Sequence, residues 1–227
     1  MSNVLVIAAH PDDEVLGCGA TVAALSRTIK VDIAILGEGI TSRHQQRGEA
    51  DQASLASLHK KAKDVGSLLG ASSVTLENLP DNRFDEVALL DIVKIVEGLV
   101  DRFRPSVIYT HHPGDLNIDH ALTFRAVLTG TRPAAGCPVK DIYAFEVASS
   151  TEWAFQQIHP AFQPNVFIDV TSTIETKIRG MGLYESESRL FPHPRSAEAL
   201  RAQARRWGSV VGLEYAEAFQ LIRSVRE

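Results

Sequence analysis

The stretch that decides the fold is residues 4–14, which read VLVIAAHPDDE. Its first six residues are apolar and include β-branched side chains, and the run ends at a His-Pro pair. A short, continuous apolar run of this kind is typical of a strand that is buried on both faces, as in parallel sheets. The stretch therefore predicts a buried strand that delivers one histidine and three acids to the edge of a sheet.

Strands and helices alternate through the first half of the chain. Three more strands are predicted, at 31–36, 73–76 and 107–110. The segments between the strands carry apolar residues at helical spacing, which predicts helices over 15–29, 47–69 and 86–103. Gly70 and Pro105 are typical of positions just after a helix ends. Strand–helix units that follow one another about every 30 residues indicate an α/β fold with a parallel sheet and helices on both faces.

The second half of the chain predicts further elements at less regular spacing. Strands are expected near 142–146 and 166–169, and helices over 121–129, 174–184, 197–208 and 214–224. No linker-like segment or internal repeat interrupts the chain, and we expect the loosely composed stretch at 130–140 to be a loop. The sequence therefore predicts one domain spanning residues 1–227.

Composition excludes several classes of protein. The chain has 227 residues, a net charge of −5 with neutral histidines, and two cysteines, Cys18 and Cys137. The acidic balance disfavours a nucleic-acid partner, and two thiols without a CxxC pair do not define a disulfide framework. The first residues lack the basic segment of a signal peptide, and no stretch reaches ~18 apolar residues, so no membrane span is expected. We therefore expect a soluble, cytoplasmic protein whose partner is a small molecule, and formation of a homo-oligomer stays open.

Two polar clusters follow strands at corresponding places. Residues 10–14 (HPDDE) follow the first strand, and residues 111–120 (HHPGDLNIDH) follow the fourth. Ligands bind outside the carboxyl ends of the strands in open α/β sheets, so both clusters are expected at one edge. Imidazoles and carboxylates together suit zinc or a neighbouring divalent metal, with positions left open for water. Each cluster alone also has a structural alternative, acids at a helix N-terminus for the first and a polar loop for the second.

The first cluster resembles the AHPDDE motif of the PIG-L/LmbE-like zinc-dependent N-deacetylase family. Residues 9–14 match that motif, and GCGAT follows at 17–21. Asp119-His120 is similar to the family's second metal motif, and 79–83 and 216–219 are similar to its weaker signatures. The resemblance implies a Rossmann-like, three-layer LmbE-like fold with a mostly parallel sheet. It also implies a hydrolase that removes an acetyl group from an N-acetylated amino-sugar conjugate of the N-acetylglucosaminyl type.

By motif position, the resemblance assigns His10, Asp13 and His120 as the ligands of one Zn²⁺ ion, with another divalent transition metal left open. Zinc held by three protein ligands keeps a position for water, can lower the pKa of that water toward ~7, and polarises an amide. The resemblance makes Asp12 the general base for the water. Asp119 is then a partner of a ligand imidazole or the N-cap of the following helix, and the two roles can coexist.

One position departs from the family pattern. The commoner second motif has a histidine three residues before the ligand histidine, where this chain has Asn117. Asparagine can donate a hydrogen bond to an oxyanion but cannot deliver a proton at neutral pH. The proton for the leaving amine would then come from His111, His112 or His193, or Asp12 would make both proton transfers.

Substrate contacts are predicted at four positions. Asp81 matches a family position that contacts sugar hydroxyls, and Arg43 and Arg47 follow the second strand, where they could meet an anionic or sugar group. Asp115 would orient a histidine or bind sugar hydroxyls. The structural alternatives are an ordinary turn residue for Asp81 and a solvated helix start for the arginines. His59 stands where some family members have a helix arginine, which puts that part of the substrate site in doubt.

Three other functions stay open from the sequence alone. The first is an amidase or deformylase that acts on a related amide in secondary metabolism. The second is a non-catalytic, metal-containing sugar-binding protein, an alternative that Asn117 keeps open. The third is a nucleotide-binding Rossmann protein, which predicts no tightly bound metal. It has weak support, because the glycines at 17–19 form neither a GxGxxG motif nor a P-loop with its lysine.

Overall fold

The structure is a computed structural model that describes residues 3–43 and 46–226. Its strands form one seven-stranded sheet in the order β3-β2-β1-β4-β5-β7-β6. They are β1 (Asn3–Ala8), β2 (Lys30–Gly37), β3 (Ser73–Leu79), β4 (Val107–His111), β5 (Asp141–Phe145), β6 (Val166–Asp169) and β7 (Ala216–Ser224). The pairs among β1–β5 are parallel, whereas β7 is antiparallel to both β5 and β6. The predicted α/β fold with a mostly parallel sheet is confirmed.

Helices cover both faces of this sheet. They are α1 (Asp13–Leu25), α2 (Gln52–Leu69), α3 (Leu89–Phe103), α4 (Ile118–Gly130), α5 (Ile174–Leu183) and α6 (Ala197–Val211). Strand β1 shows why two layers are needed, because alternate side chains of a strand point to opposite faces. Val4 and Val6 belong to one buried core, and Leu5 and Ile7 belong to the other. None of the helices in residues 3–43 and 46–226 combines the length and the hydropathy of a membrane-spanning segment.

The segment predicted as a helix over 214–224 instead forms strand β7, so that prediction is wrong. Alanine and glutamate favour helices in isolated chains. Strand β7, however, pairs with β5 on one side and β6 on the other, and its first four residues are buried. Pairing on both sides and burial override local propensity.

Side-chain caps set several helix boundaries. Helix α2 begins later than predicted, because the Asp51 carboxylate caps it by accepting hydrogen bonds from two N–H groups of the first turn. Helix α4 begins earlier than predicted, with the side chain of Asn117 as its cap. Helix α2 ends as predicted at Gly70, whose left-handed φ of 78° suits a residue without a Cβ atom.

Helix α1 is broken at Cys18, whose φ of −147° and ψ of 21° are not helical. Side chains from α5 and β7 satisfy the backbone groups that the break releases. The Glu217 carboxylate accepts hydrogen bonds from two N–H groups of α1, the shorter from Thr21 at 2.7 Å. Lys177 donates to the carbonyl of Leu16 at 2.7 Å and to Glu217 at 2.6 Å. The part of α1 around its break is therefore held by elements that come much later in the chain.

Candidate active site

The carboxyl ends of β1 and β4 lie side by side, and both polar clusters leave the sheet there. Ile7 of β1 is in register with Thr110 of β4. His10 and Asp13 lie just after β1, and His120 lies in the first turn of α4. One possible ligand atom from each of these three residues lies within 4.8 Å of the other two. The structure thus brings together the three residues predicted as metal ligands.

These side chains meet at Oδ2 of Asp13. This oxygen lies 3.3 Å from Nδ1 of His10 and 3.2 Å from Nε2 of His120. The other nitrogen of each ring faces a carboxylate. Nε2 of His10 is 2.9 Å from Oδ2 of Asp119, and Nδ1 of His120 is 3.2 Å from Oδ1 of Asp115. Metal-binding histidines are oriented in this way, so the donor set fits a divalent cation such as zinc.

The charges of the cluster also fit a cation. Burial lowers the pKa of His120, but the carboxylates of Asp13 and Asp115 together outweigh burial and raise the pKa to about 9. Burial likewise opposes protonation of His10, yet hydrogen bonds to Asp119 and Asp13 raise its pKa well above the ordinary value. Burial works to raise the pKa of Asp13, while the imidazoles of His120 and His111 hold it well below its usual range. Positive charge is thus favoured around Asp13, and a bound cation would supply it in place of protons.

The two carboxylates behind the histidines are themselves fixed. Asp119 accepts a hydrogen bond from the N–H of Phe84 at 2.9 Å through its second oxygen. Asp119 is therefore the partner of an imidazole, and its alternative role as N-cap is wrong, because Asn117 occupies that position. Asp115 is buried and accepts hydrogen bonds from Ser150 and, at 2.6 Å, from Thr151.

Asp12 lies beside this cluster with a φ of 113°, which non-glycine residues rarely adopt. Its side chain is buried, and Oδ2 accepts a hydrogen bond from Nη1 of Arg195 at 2.6 Å. Burial raises the pKa of Asp12 to about 8, against the opposing charge of Arg195. The backbone N–H of Asp12 donates to Glu14, which also accepts from the hydroxyl of Tyr184 at 2.6 Å. Both the backbone and the carboxylate of Asp12 are therefore held in place.

A cavity of about 180 Å³ opens at these residues. Of the residues predicted to contact substrate or to act in catalysis, Asp12, Asp81, Arg43 and Asn117 line it. Its other polar lining residues, apart from the three predicted ligands, are Ser42, Asn82, Ser149, Ser150, Glu187 and Arg195. The cavity therefore suits a small hydrophilic molecule.

The three histidines considered as proton donors do not belong to the described lining of this cavity. Nε2 of His112 lies 2.7 Å from a backbone carbonyl, and Nδ1 of His193 accepts a backbone N–H of its own loop at 3.1 Å. His111 is buried and stacks on His120 with 3.9 Å between ring centroids. Burial lowers the pKa of all three rings. The structure therefore does not bring a histidine acid to the place of Asn117.

Asn117 and Asp81 already have partners at the cavity wall. Oδ1 of Asn117 caps α4, and Nδ2 donates to Asn82 at 2.7 Å. Asp81 accepts a hydrogen bond from the hydroxyl of Ser42 at 2.6 Å and lies 3.5 Å from Nε2 of His10. Both side chains thus stand where a substrate in the cavity would meet them.

The predicted arginines differ in position. Arg43 lines the cavity and forms an ion pair with Glu187. Arg47 lies outside the described lining and binds both oxygens of Glu38 at 2.7 Å. His59 is close to that pair, with Nε2 at 3.2 Å from the Glu38 carbonyl. Arg43 is thus available to a substrate, whereas Arg47 supports the loop behind it.

Arg195 is a residue of this cavity that the sequence did not indicate. It lies in the loop FPHPR at 191–195, which drew attention only for His193. No spacing rule connects a loop arginine between α5 and α6 with an aspartate after β1. The one signal that could have indicated this arginine is indirect. A buried carboxylate such as that of Asp12 needs a cationic partner, and the sequence motif around Asp12 contains none.

The chain is similar in sequence to deacetylases. It is 26% identical over 173 residues to the uncharacterized deacetylase YaiS of Escherichia coli (strain K12), covering 74% of this chain and 82% of that protein. It is 23% identical over 244 aligned positions to the diacetylchitobiose deacetylase of Thermococcus kodakarensis, covering 99% of this chain and 85% of the other.

The fold also occurs in an enzyme of another class. GalB, the 4-carboxy-2-hydroxymuconate hydratase of Pseudomonas putida KT2440, superposes with a TM-score of 0.76 at 21% identity, covering 100% of this chain and 99% of GalB. That likeness shows the fold alone. The PIG-L family, described as GlcNAc-PI de-N-acetylase, matches residues 5–130, a segment that contains the candidate metal ligands. More than half of the chain thus fits that family, and the chain belongs to it.

Proposed function

We propose that this protein is a metal-dependent hydrolase that removes the acetyl group from an N-acetylated amino-sugar conjugate of the N-acetylglucosaminyl type. One observation carries the proposal. Two histidines, each backed by a carboxylate, meet at Asp13 in a polar cavity that also contains Asp12. Membership of the PIG-L family and the likeness to a diacetylchitobiose deacetylase support the amino-sugar substrate.

His10 through Nδ1, Asp13 through Oδ2 and His120 through Nε2 would hold the metal, for which we propose Zn²⁺. Two imidazoles and one carboxylate form a donor set that zinc accepts in catalytic sites. When bound, such a cation polarises the amide and lowers the pKa of a water ligand to about 7. Asp119 and Asp115 then act through the histidines, by fixing the ring nitrogen that each presents to Asp13.

Asp12 is proposed to make both proton transfers. It takes a proton from the attacking water and gives it to the amine when the carbon–nitrogen bond breaks. The placement of His111, His112 and His193 outside the described cavity lining supports this role. Asn117 cannot supply the proton, but Nδ2 carries two hydrogens and Asn82 takes one, so the other can bind the carbonyl oxygen.

Asp81 and Arg43 are proposed to bind the sugar. Both line the cavity, and a carboxylate and a guanidinium together can accept from and donate to neighbouring hydroxyl groups. Arg47 and Asp115, which also were predicted to contact substrate, are proposed to support Glu38 and His120 instead.

The decisive experiment is amine release measured over a panel of N-acyl amino sugars, with metal-free protein and with added Zn²⁺. The panel includes N-acetylglucosamine, its glycosides and oligosaccharides, and the N-formyl counterparts. We expect release from acetylated glycosides only when metal is present, and no release by Asp13→Asn. Release from formyl amides alone would favour the deformylase alternative. Retention of Zn²⁺ without hydrolysis of any member would favour a sugar-binding protein.

A further inference from the structure

We propose that Arg195 is the positioning residue for Asp12. Its guanidinium holds one carboxylate oxygen, Oδ2, so that Oδ1 stays free to exchange a proton with water and then with the amine. This role rests on the proposed deacetylation. It gives the cavity a cationic group in a chain that has Asn117 at the position of the family's histidine.

The contact between the two side chains is specific. Nη1 of Arg195 lies 2.6 Å from Oδ2 of Asp12, and the carboxylate belongs to a residue that is 3% exposed. Among the described residues, Arg195 is a donor to this carboxylate, and it binds Oδ2 rather than Oδ1. A buried carboxylate without any cationic partner is strongly unfavourable. The ion pair occupies Oδ2 of Asp12 and does not occupy Oδ1.

Arg195 is itself held by three further residues. Nε donates to the hydroxyl of Ser149 at 2.8 Å, and Nη1 lies 3.5 Å from Oε2 of Glu187. The backbone N–H of Arg195 donates to Nδ1 of His193 at 3.1 Å. A planar guanidinium held at Nε and Nη1 has little freedom to rotate. Its orientation, and with it that of the Asp12 carboxylate, is therefore set before substrate enters.

The backbone conformation of Asp12 is also restrained by its surroundings. A φ of 113° at a non-glycine residue persists only when surrounding contacts enforce it, and such residues cluster at functional sites. Here the N–H of Asp12 is bound by Glu14, and the next side chain, Asp13, is engaged by His10 and His120. The backbone contacts thus fix the position of the Asp12 main chain, and Arg195 fixes the orientation of the Asp12 carboxylate.

An arginine in this place also constrains the chemistry. Guanidinium keeps its proton in proteins, so Arg195 orients and stabilises charge but does not exchange a proton. Water therefore loses one proton to Oδ1 of Asp12 as its oxygen bonds the carbonyl carbon. The carbon–nitrogen bond then breaks, and the nitrogen takes that proton from Asp12. Acetic acid and the free amine are the products, and Asp12 returns to its starting state.

The first test compares Arg195→Ala and Arg195→Lys with the parent protein, measuring kcat, KM and bound metal. We expect Arg195→Ala to lower kcat about 100-fold, because small misplacements of a reacting group have effects of that size. KM should change less than about threefold, metal content should stay the same, and Arg195→Lys should recover about tenfold in kcat because it restores the charge. Unchanged kcat, or a loss confined to KM, would overturn the role.

The matched control is Arg201→Ala, which removes a two-point arginine–glutamate pair with Glu175 on the exposed side of α6. It should leave kcat unchanged. A comparable loss of kcat in this variant would mean that Arg195→Ala acts through general destabilisation.

The second test needs no substrate and uses metal-free full-length protein. Urea unfolding of Asp12→Asn, Arg195→Ala and the double variant gives the coupling between the two side chains. We expect about tenfold coupling in the unfolding equilibrium constant, within the range of contacting charged residues. Coupling below twofold would show that Asp12 and Arg195 do not form an ion pair. The positioning role of Arg195 would then be wrong even if the protein is a deacetylase. Strong coupling without hydrolysis of any panel member would instead locate the failure in the proposed function.

Discussion

Asp12 and Asp13 are neighbours in the chain with opposite electrostatic surroundings. Imidazoles hold the pKa of Asp13 well below its usual range, against the effect of burial, whereas burial raises that of Asp12 to about 8. Pairs of carboxyl groups whose pKa values are pushed apart are a common basis for dividing roles in an active site. Asp13 is suited to hold a cation, and Asp12 is suited to exchange a proton.

Replacing Asp12 with asparagine tests that division. We expect Asp12→Asn to keep its metal and to lose about 10²–10⁴-fold in kcat, because a general base is removed without a change in shape. Metal content by elemental analysis and turnover on the best substrate of the panel check this. Asp13→Asn is the comparison and should lose both metal and turnover. Full activity in Asp12→Asn would assign the proton transfers to another group.

Asp119 should control metal affinity through His10. Asp119→Ala removes the carboxylate 2.9 Å from Nε2 of His10, and we expect zinc to bind about 10–100-fold more weakly. Competition with a chromophoric chelator measures this. The control is Asp91→Asn, at an exposed position of α3, which should leave affinity unchanged. Equal affinity in Asp119→Ala would show that His10 needs no such partner.

Site residues that lie close together in the sequence could be predicted, whereas those brought together only by the fold could not. His10, Asp12 and Asp13 share one short motif after a strand, so the pattern indicates them together, and all three line one cavity in the structure. Arg195 comes 183 positions after Asp12 and reaches it only through the loop between α5 and α6. Such a contact depends on tertiary packing, which the spacing of residues along the chain does not encode.

At the scale of elements, the buried strands were the most predictable and β7 the least. Strand β1 is a continuous apolar run, and β2 and β4 are mostly apolar. These three strands and β3 each lie within a few residues of the predicted place. Strand β7 contains the helix-favouring segment AEAF at 216–219, and its conformation is decided by β5 and β6 on either side. The mistaken helix concealed how Glu217 reaches α1.

Glu217 should matter for stability far beyond its own strand. We expect Glu217→Ala to lower the free energy of unfolding by about 3–5 kcal/mol, because it leaves Lys177 buried without its partner. Urea unfolding measures the change. Glu214→Ala, at an exposed position before β7, should change stability by less than about 0.5 kcal/mol. Similar small effects in both variants would show that the break in α1 needs no carboxylate.

Glu146, just after β5, should make stability depend on pH. Burial raises its pKa to about 7, and its carboxylate accepts a hydrogen bond from the indole of Trp207. The folded state then binds a proton that the unfolded state releases, so this group's contribution is full below the unfolded pKa and is lost as pH rises through about 7.

Glu146→Gln keeps an acceptor for Trp207 and removes the titration. We therefore expect it to be more stable than the parent by about 1–3 kcal/mol at pH 8, and to differ little at pH 4.5. Urea unfolding at the two pH values measures the difference. If the free energies of unfolding of the two proteins differed by the same amount at both pH values, the raised pKa of Glu146 would be contradicted.

For the whole molecule, metal binding and folding should be coupled. The ligands come from both ends of the first half of the chain, so an unfolded chain lacks the site. Zinc at 100 times its dissociation constant should add about 2.7 kcal/mol to the free energy of unfolding, and Tm should rise by roughly 5–10 °C. Thermal unfolding with a chelator and with added Zn²⁺ checks this. Asp13→Asn should show no such rise, and an equal rise in that variant would place the zinc elsewhere.

The fold by itself does not decide the reaction. A hydratase has the same architecture, with a TM-score of 0.76, and sites rather than folds determine function. The deacetylase proposal therefore depends on the side chains at the carboxyl edge of β1 and β4, and above all on two histidines that meet one aspartate.

The interior position of β7 has a consequence for how the protein is made. Of the strands, β7 is the last in the chain, yet it lies between β5 and β6. While the ribosome is still adding these residues, the sheet has a gap, and the break in α1 lacks the carboxylate of Glu217. The contact between Glu217 and α1, the helix that begins with Asp13, can therefore form only after β7 has been synthesised. We therefore expect the central part of the sheet to be closed only once β7 pairs with both β5 and β6.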